Sequence, residues 1–344
     1  MKNCTFPWTG MTIDPQGYLT LCCMIESKKG IFNIHISDVD SLYDFFYGEE
    51  YEKIQNSFDL FGWNKMKDCV ACQNDKKQNI FTGYDDSQRF DPDLKALQYL
   101  ELTTSNTCNQ QCVTCGSKFS SQWRKIEHYF DRPAEKPYSL SANDLEKVLE
   151  ILPDLQTLTL KGGEPFADMR NVQILESLFE INPFCRVVIV TNGVLIPQKF
   201  LDIIKKYHYN FELIFSIDAV GKKYDWIRGT PFDKTVKNLE LVFNLGIQVL
   251  SIVPTISSYN IRSLNEITEW HNSLNIECNL VWNNIVYDPR WCSPIFTMTQ
   301  KEIDSVEYLP MEIISQYDHF CKEELERNTK IMNKIRGFEF NSLQ

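Results

Sequence analysis

From Leu97 onward the chain repeats one pattern six times: a short apolar run, a turn, then a stretch with helical periodicity. The apolar runs fall at 97–103, 155–160, 186–190, 211–217, 247–253 and 277–286. The helical stretches fall near 118–131, 142–151, 168–180, 197–207, 234–244 and 263–273. Strands that alternate with helices in this way predict an α/β fold with a parallel sheet and right-handed crossovers. In such folds the reactive groups gather at the carboxyl ends of the strands. Residues 299 to about 337 read as further helix after the last strand.

The first strand, in which Leu100 and Leu102 alternate with polar neighbours, runs into Cys108-Asn-Gln-Gln-Cys112-Val-Thr-Cys115-Gly116. Three thiols separated by gaps of three and two residues on one loop suit a metal or an iron–sulfur cluster, because short gaps let the sulfurs converge on one centre. Three thiolates on a site that prefers four leave one coordination position open. A zinc loop lacking its fourth ligand, or simply buried thiols, would show the same spacing. After the second strand stands Gly162-Gly163-Glu164-Pro165, whose glycines permit close backbone approach and whose carboxylate can accept from an ammonium. After the third stands Thr191-Asn192-Gly193, a turn that either bonds a ligand or caps the strand. The fourth ends in Ser216-Ile217-Asp218, with Ser216 and Asp218 on one side of it. Asp218 bonds a ligand or caps a helix.

Residues 1–92 form a different unit. Met11-Thr12-Ile13 and Tyr18-Leu19-Thr20-Leu21, joined by Asp14-Pro15-Gln16-Gly17, predict a hairpin. Cys4 and Cys22 flank it, and Cys69 and Cys72 follow at a CxxC spacing, giving four thiols. Four are enough to close an iron–sulfur or a zinc site, and spacing alone leaves both open. Cys23 is a spectator or a replacement for Cys22. Ser41 to Phe58 reads as one amphipathic helix, with Leu42, Phe45, Phe46, Ile54 and Phe58 as core. The polar stretch 85–92 reads as a linker.

The cysteine loop after one strand, followed by Gly162-Gly163-Glu164-Pro165 after the next, resembles the radical S-adenosylmethionine (SAM) superfamily, although the aromatic residue often found before the third cysteine is Thr114 here. The resemblance implies a (β/α)6 partial TIM barrel over 93–298, a small cysteine-rich α+β auxiliary domain before it and a helical cap over 299–344. It implies a [4Fe–4S] cluster on Cys108, Cys112 and Cys115, with SAM at the remaining iron. Gly162, Gly163, Glu164 and Pro165 would meet the SAM amino group, and Arg228, in Trp226-Ile227-Arg228-Gly229, its carboxylate. Asn192, Ser216 and Asp218 would contribute polar contacts, and Ile256, with Asn260 beyond, would lie near the adenine. The pattern Cys4-x12-Gly17-x4-Cys22 with Cys69-x2-Cys72, together with Pro7-Trp8 and Cys22-Cys23, resembles the SPASM and twitch auxiliary domains. This implies a second cluster on Cys4, Cys22, Cys69 and Cys72. Cys292, soon after the sixth strand, is the thiol best placed by topology to return a hydrogen atom to a substrate radical.

The resemblance further implies hydrogen abstraction from a peptide or protein, or alternatively from a small metabolite such as a sugar, with an electron donor such as flavodoxin or ferredoxin. A zinc-stabilised binding protein without SAM chemistry is the alternative from another class. At 344 residues the chain has room for a large core, and its apolar fraction of 43% suits a globular protein. No apolar run reaches membrane-spanning length, and the first residues lack the apolar segment of a secretion signal, so the expectation is cytoplasmic. A net charge of −11 disfavours nucleic-acid binding, which depends on cationic neutralisation of phosphates. Twelve cysteines in such a chain point to metal or redox chemistry.

Overall fold

The structure is a computed structural model and describes residues 4–22, 25, 33–61, 89–94 and 96–340. They fall into two compact units. The first comprises Met1–Thr107, Pro137–Val190 and Pro197–Glu212, and the second Cys108–Lys136, Thr191–Ile196 and Leu213–Gln344.

In the first unit a short helix, α1 (Phe6–Thr9), leads into the expected hairpin of β1 (Gly10–Ile13) and β2 (Leu19–Thr20). The turn forms because Asp14 Oδ1 accepts from the backbone amides of Gln16 and Tyr18. Gly17 sits in the left-handed region at φ +84°, where a side chain would be strained. The hairpin is not a separate layer: β1 pairs in parallel with β3 (Tyr99–Leu102). Strand β3 pairs with β4 (Thr157–Leu160), and β4 with β5 (Arg186–Thr191), all in parallel, giving the order β2-β1-β3-β4-β5. Alternation decides which side chains share a face. Met11, Leu100, Leu158 and Val187 form one cross-strand row and Ile13, Leu102, Leu160 and Ile189 another, each residue fully buried. The row between them, on the opposite face, is polar at Thr12, Glu101 and Thr159.

The single helix expected over 41–58 is two, α2 (Leu42–Tyr47) and α3 (Glu49–Phe61). Gly48 ends the first, its amide returning to Phe45 O, and a Cβ there would lie 2.5 Å from Asp44 O. Helices α4 (Ala142–Glu150), α5 (Arg170–Ile181) and α6 (Gln198–Lys206) occupy the expected stretches.

Strand β6 (Phe211–Phe215) starts in the first unit and ends in the second. The second unit then carries α7 (Gly221–Arg228), α8 (Phe232–Asn244), β7 (Val249–Ile252), β8 (Thr255–Ile256) and α9 (Leu264–Asn272). The expected strand over 277–286 is split: β9 (Asn279–Leu280) pairs with β7, and β10 (Asn284–Ile285) pairs with β8 in a separate two-stranded sheet. The expected helix over 118–131 is two 3-10 turns, Trp123–Lys125 and Glu127–Phe130, closed by Asp131 at φ +54°. Side-chain bonds from Ser120 to Gln110 O and from Trp123 Nε1 to Cys112 O tie this stretch to the cysteine loop, and regular helix gives way to them. The C-terminal helical region is α10 (Pro294–Thr297), α11 (Gln300–Asp304) and, after an extended stretch, α12 (His319–Arg336). Six strands separated by helices along the chain make this the α/β class expected. Among the described residues no helix is long and apolar enough to cross a membrane.

Candidate cofactor site

The second unit gathers the cysteine loop and most of the polar residues singled out by sequence. Cys108 and Cys112 are buried and Cys115 is half-buried. The Cys108 sulfur accepts from Gln110 N at 3.4 Å and faces Asn192 Nδ2 at 3.9 Å. The Cys112 sulfur lies 3.4 Å from Gln110 Oε1 and 3.8 Å from Arg228 O. Burial pushes the Cys112 thiol up, with the Arg228 guanidinium pulling the other way. Burial also pushes Cys115 up, and the neighbouring sulfurs of Cys112 and Cys108 add to that. The loop backbone is held from several sides: Val113 N donates to Ile227 O at 2.8 Å, and Trp123 Nε1 to Cys112 O at 2.7 Å.

Arg228 is the last residue of α7, which Gly229 terminates at φ +76°. Its side chain forms an ion pair with Asp218, Nη1 to Oδ2 at 3.3 Å, and Nη2 donates to Ser216 O at 2.5 Å. Burial works against the guanidinium charge, but Asp218 and Cys112 outweigh it and hold Arg228 protonated above its ordinary value. Its Nε is buried without a hydrogen-bond partner among the described residues. Asp218 is 1% exposed and also accepts from Thr255 N at 2.8 Å. Asn260 fixes the same corner, donating to Asp218 O and to Thr255 O. Asn192 bonds Asn109 Oδ1 at 2.7 Å and accepts from Val194 N. The unit thus brings Cys108, Cys112, Cys115, Asn192, Ser216, Asp218 and Arg228 into one connected set. Ile256 is buried on β8, paired to Ile285. Cys292 is fully buried, and its thiol donates to Val113 O at 3.3 Å, behind the loop.

The Gly162-Gly163-Glu164-Pro165 motif belongs to the first unit, and its glycines are required by the chain itself. Gly162 has φ +117°, and a Cβ on Gly163 would lie 2.1 Å from Thr107 O. Glu164 N donates to that same carbonyl at 2.8 Å, and Glu164 Oε1 caps the following turn by accepting from Phe166 N. Also in the first unit, Cys4 and Cys22 each pack against the buried cluster of Phe6, Phe90 and Tyr99. Cys69, Cys72 and Cys23 lie outside the described residues.

Sequence reasoning passed over Asn109 and Gln110, which tie the loop to Asn192 and Thr230, and Trp123 and Arg336, which bond its backbone. Asn109 and Gln110 carried a readable signal, their place between two cysteines; Trp123 and Arg336 meet the loop only through folding. Among the described residues no three His, Cys, Asp or Glu side chains are grouped around a single ion. A [4Fe–4S] cube presents a separate iron to each thiolate. Three sulfurs on one loop, beside a buried cation, suit that donor requirement.

The family profile of the radical SAM superfamily matches residues 102–271, and that of SPASM, an iron–sulfur cluster-binding domain, matches residues 4–73. The chain belongs to the radical SAM superfamily and carries a SPASM domain. The cofactors of such a protein are [4Fe–4S] clusters and SAM. The chain is 29% identical over 159 residues to the radical SAM cyclopropyl synthase TigE of Paramaledivibacter caminithermalis, covering 43% of this chain and 33% of that protein. It is 26% identical over 197 residues to the antilisterial bacteriocin subtilosin biosynthesis protein AlbA of Bacillus subtilis, covering 56% of this chain and 40% of that one. It therefore spans well under half the length of these two relatives. Among solved structures, Streptococcus suis SuiB bound to S-adenosylmethionine is similar over 96% of this chain and 70% of that chain, at 16% identity and a TM-score of 0.42.

Proposed function

We propose that this radical SAM protein is an enzyme that abstracts a hydrogen atom from a carbon of a peptide or protein substrate. The observation that carries the reading is the connected set of the second unit: three loop thiols, with Cys112 against Arg228, whose buried Nε has no hydrogen-bond partner among the described residues. In this reading Cys108, Cys112 and Cys115 hold the [4Fe–4S] cluster. When bound, cluster and SAM supply a one-electron reductive cleavage that yields methionine and a 5′-deoxyadenosyl radical.

The chain's own residues bind and orient. Arg228 offers a cation to the SAM carboxylate while its other nitrogens stay anchored on Asp218 and Ser216. Asp218 is locked by Thr255 and Asn260, so the guanidinium keeps one orientation. Asn192 steadies the loop at Asn109 and faces the Cys108 sulfur. Gly162 to Pro165 receive the SAM amino group through a turn whose shape Thr107 sets. Ile256 contributes apolar surface near the adenine. We assign Cys292 to support of the loop from behind, since its thiol is buried on Val113 O. Residues 1–92 would form the auxiliary module, with Cys4 and Cys22 joined by Cys69 and Cys72 around a second cluster, before a core over 93–298 and a cap over 299–344. The relative named for bacteriocin biosynthesis supports a peptide substrate. A relative named GTP 3′,8-cyclase, from Haemophilus influenzae, supports a small-molecule substrate as the second reading. A cytoplasmic setting with flavodoxin or ferredoxin as donor suits clusters that must stay reduced.

The test is SAM cleavage after anaerobic reconstitution, comparing the wild-type chain with Cys112→Ala. The wild type should form 5′-deoxyadenosine with a chemical reductant, and the variant should form none. Cleavage that survives in Cys112→Ala overturns the reading.

A further inference from the structure

We infer that Arg336, on the last turn of α12, is a positioning residue that clamps the cysteine loop and sets the charge beside Cys112. Arg336 makes three connections within the second unit. Its Nε donates to Trp226 O at 2.9 Å, on α7. Its Nη1 reaches Gln111 Oε1 at 3.3 Å, and its Nη2 bonds the backbone carbonyl of Gln111. Gln111 stands immediately before Cys112, and Trp226 two residues before Arg228. One guanidinium therefore joins the loop that carries the thiols to the helix that carries the arginine of the site. The planar fork suits this role, because its donors lie in a fixed relation that an ammonium does not reproduce.

The surroundings keep the fork in place. Gly229 closes α7 so near the guanidinium that a Cβ there would lie 2.8 Å from Arg336 Cζ. Asn333, one turn earlier on α12, accepts from Trp226 Nε1 at 2.9 Å, and Phe340 stacks on the Trp226 ring at 4.3 Å. The end of α12 is thus attached to α7 independently of Arg336, so the clamp can be removed without detaching the helix. Bonded to the carbonyl of Gln111, the guanidinium is also held one residue from Cys112. A cluster gains negative charge on reduction, and its potential depends on nearby charge and hydrogen bonding. A fixed cation here favours the reduced state.

The inference rests on the proposed ligation by Cys108, Cys112 and Cys115, but its structural half is measurable without any cofactor. The experiment compares wild type, Arg336→Lys, Arg336→Gln and the surface control Lys330→Ala. Amide hydrogen exchange over residues 109–114 is followed in the metal-free chain. The midpoint potential of the SAM-binding cluster is then read by spectroscopy after reconstitution. Loss of charge-assisted bonds to a loop predicts exchange about tenfold faster in Arg336→Gln. Arg336→Lys should show an intermediate rise and Lys330→Ala none. The potential should fall in Arg336→Gln and stay near the wild-type value in Arg336→Lys, which keeps the charge. Unchanged loop exchange in both Arg336 variants overturns the clamp, whether or not SAM is cleaved. If Arg336→Gln does not fold, wild-type exchange in Arg336→Lys alone overturns it. An unaltered potential in a folded Arg336→Gln overturns the electrostatic part.

Discussion

Arg228 shows how much a single side chain is asked to do. It is almost fully buried, as is its partner Asp218, and neither has water to fall back on. Taking away one member of such a pair strands the other and costs about 3 kcal/mol or more. Arg228→Gln should therefore destabilise the metal-free chain by about that amount in chemical denaturation. It should also weaken SAM binding to the reconstituted protein at least tenfold. Arg228→Lys should recover part of the stability, because a charge remains, but little of the binding, because the fork is lost. Sequence alone pointed to Arg228 through its Trp-Ile-Arg-Gly setting. It did not reveal the ion pair with Asp218, since nine residues, most of them in α7, lie between them. The glycines of Gly162-Gly163 carry a similar lesson. They were legible as sites of close approach, yet the group that approaches is the chain's own Thr103 and Thr107.

Among the elements, α4 is the clearest case of local signals written into sequence. Ser141 caps it by accepting from Asp144 N at 3.1 Å, and Asp144 forms an ion pair with Lys147 one turn on. Losing such a cap costs about 1 kcal/mol, so Ser141→Ala should lower the unfolding midpoint by a few degrees. Burial alone would raise the Asp144 carboxyl, but the bonds from Ser141 and Lys147 hold it below its ordinary value of 3.8. A carboxyl lowered on folding stabilises the native state fully above its unfolded value and loses that contribution as pH falls through the folded one. Asp168, lowered against burial by Arg170, Ser105 and Thr104, acts with the same sign. Stability measured from pH 6 down to 2 should decline below about pH 4, and Asp144→Asn should flatten part of that decline. Helix boundaries of this kind came close to the expected ones. The elements that departed did so where packing overrode periodicity. Gly48 divides the helix over 41–58, and side-chain bonds to the cysteine loop replace the helix over 118–131.

For the whole molecule, the two groups of thiols belong to different units, Cys4 and Cys22 to the first and Cys108, Cys112 and Cys115 to the second. Two separate clusters should be lost separately. Reconstituted wild type is expected to hold about eight iron atoms per chain, and Cys4→Ser with Cys22→Ser about four. The double variant should still form 5′-deoxyadenosine from SAM in the absence of substrate. Zinc bound in place of the missing iron in wild type would make the first unit's site structural. What the sequence determined on its own is what neighbouring residues decide: the strand–helix alternation, the spacing of the thiols, the Asp14–Gly17 turn and the caps. The tertiary structure alone decided that β1 lies beside β3, that the last expected strand divides between two sheets, and that Arg336 reaches Gln111 across 225 residues. Periodicity and spacing arise from contacts a few residues apart, whereas these pairings depend on which distant surfaces are buried together once the chain is compact.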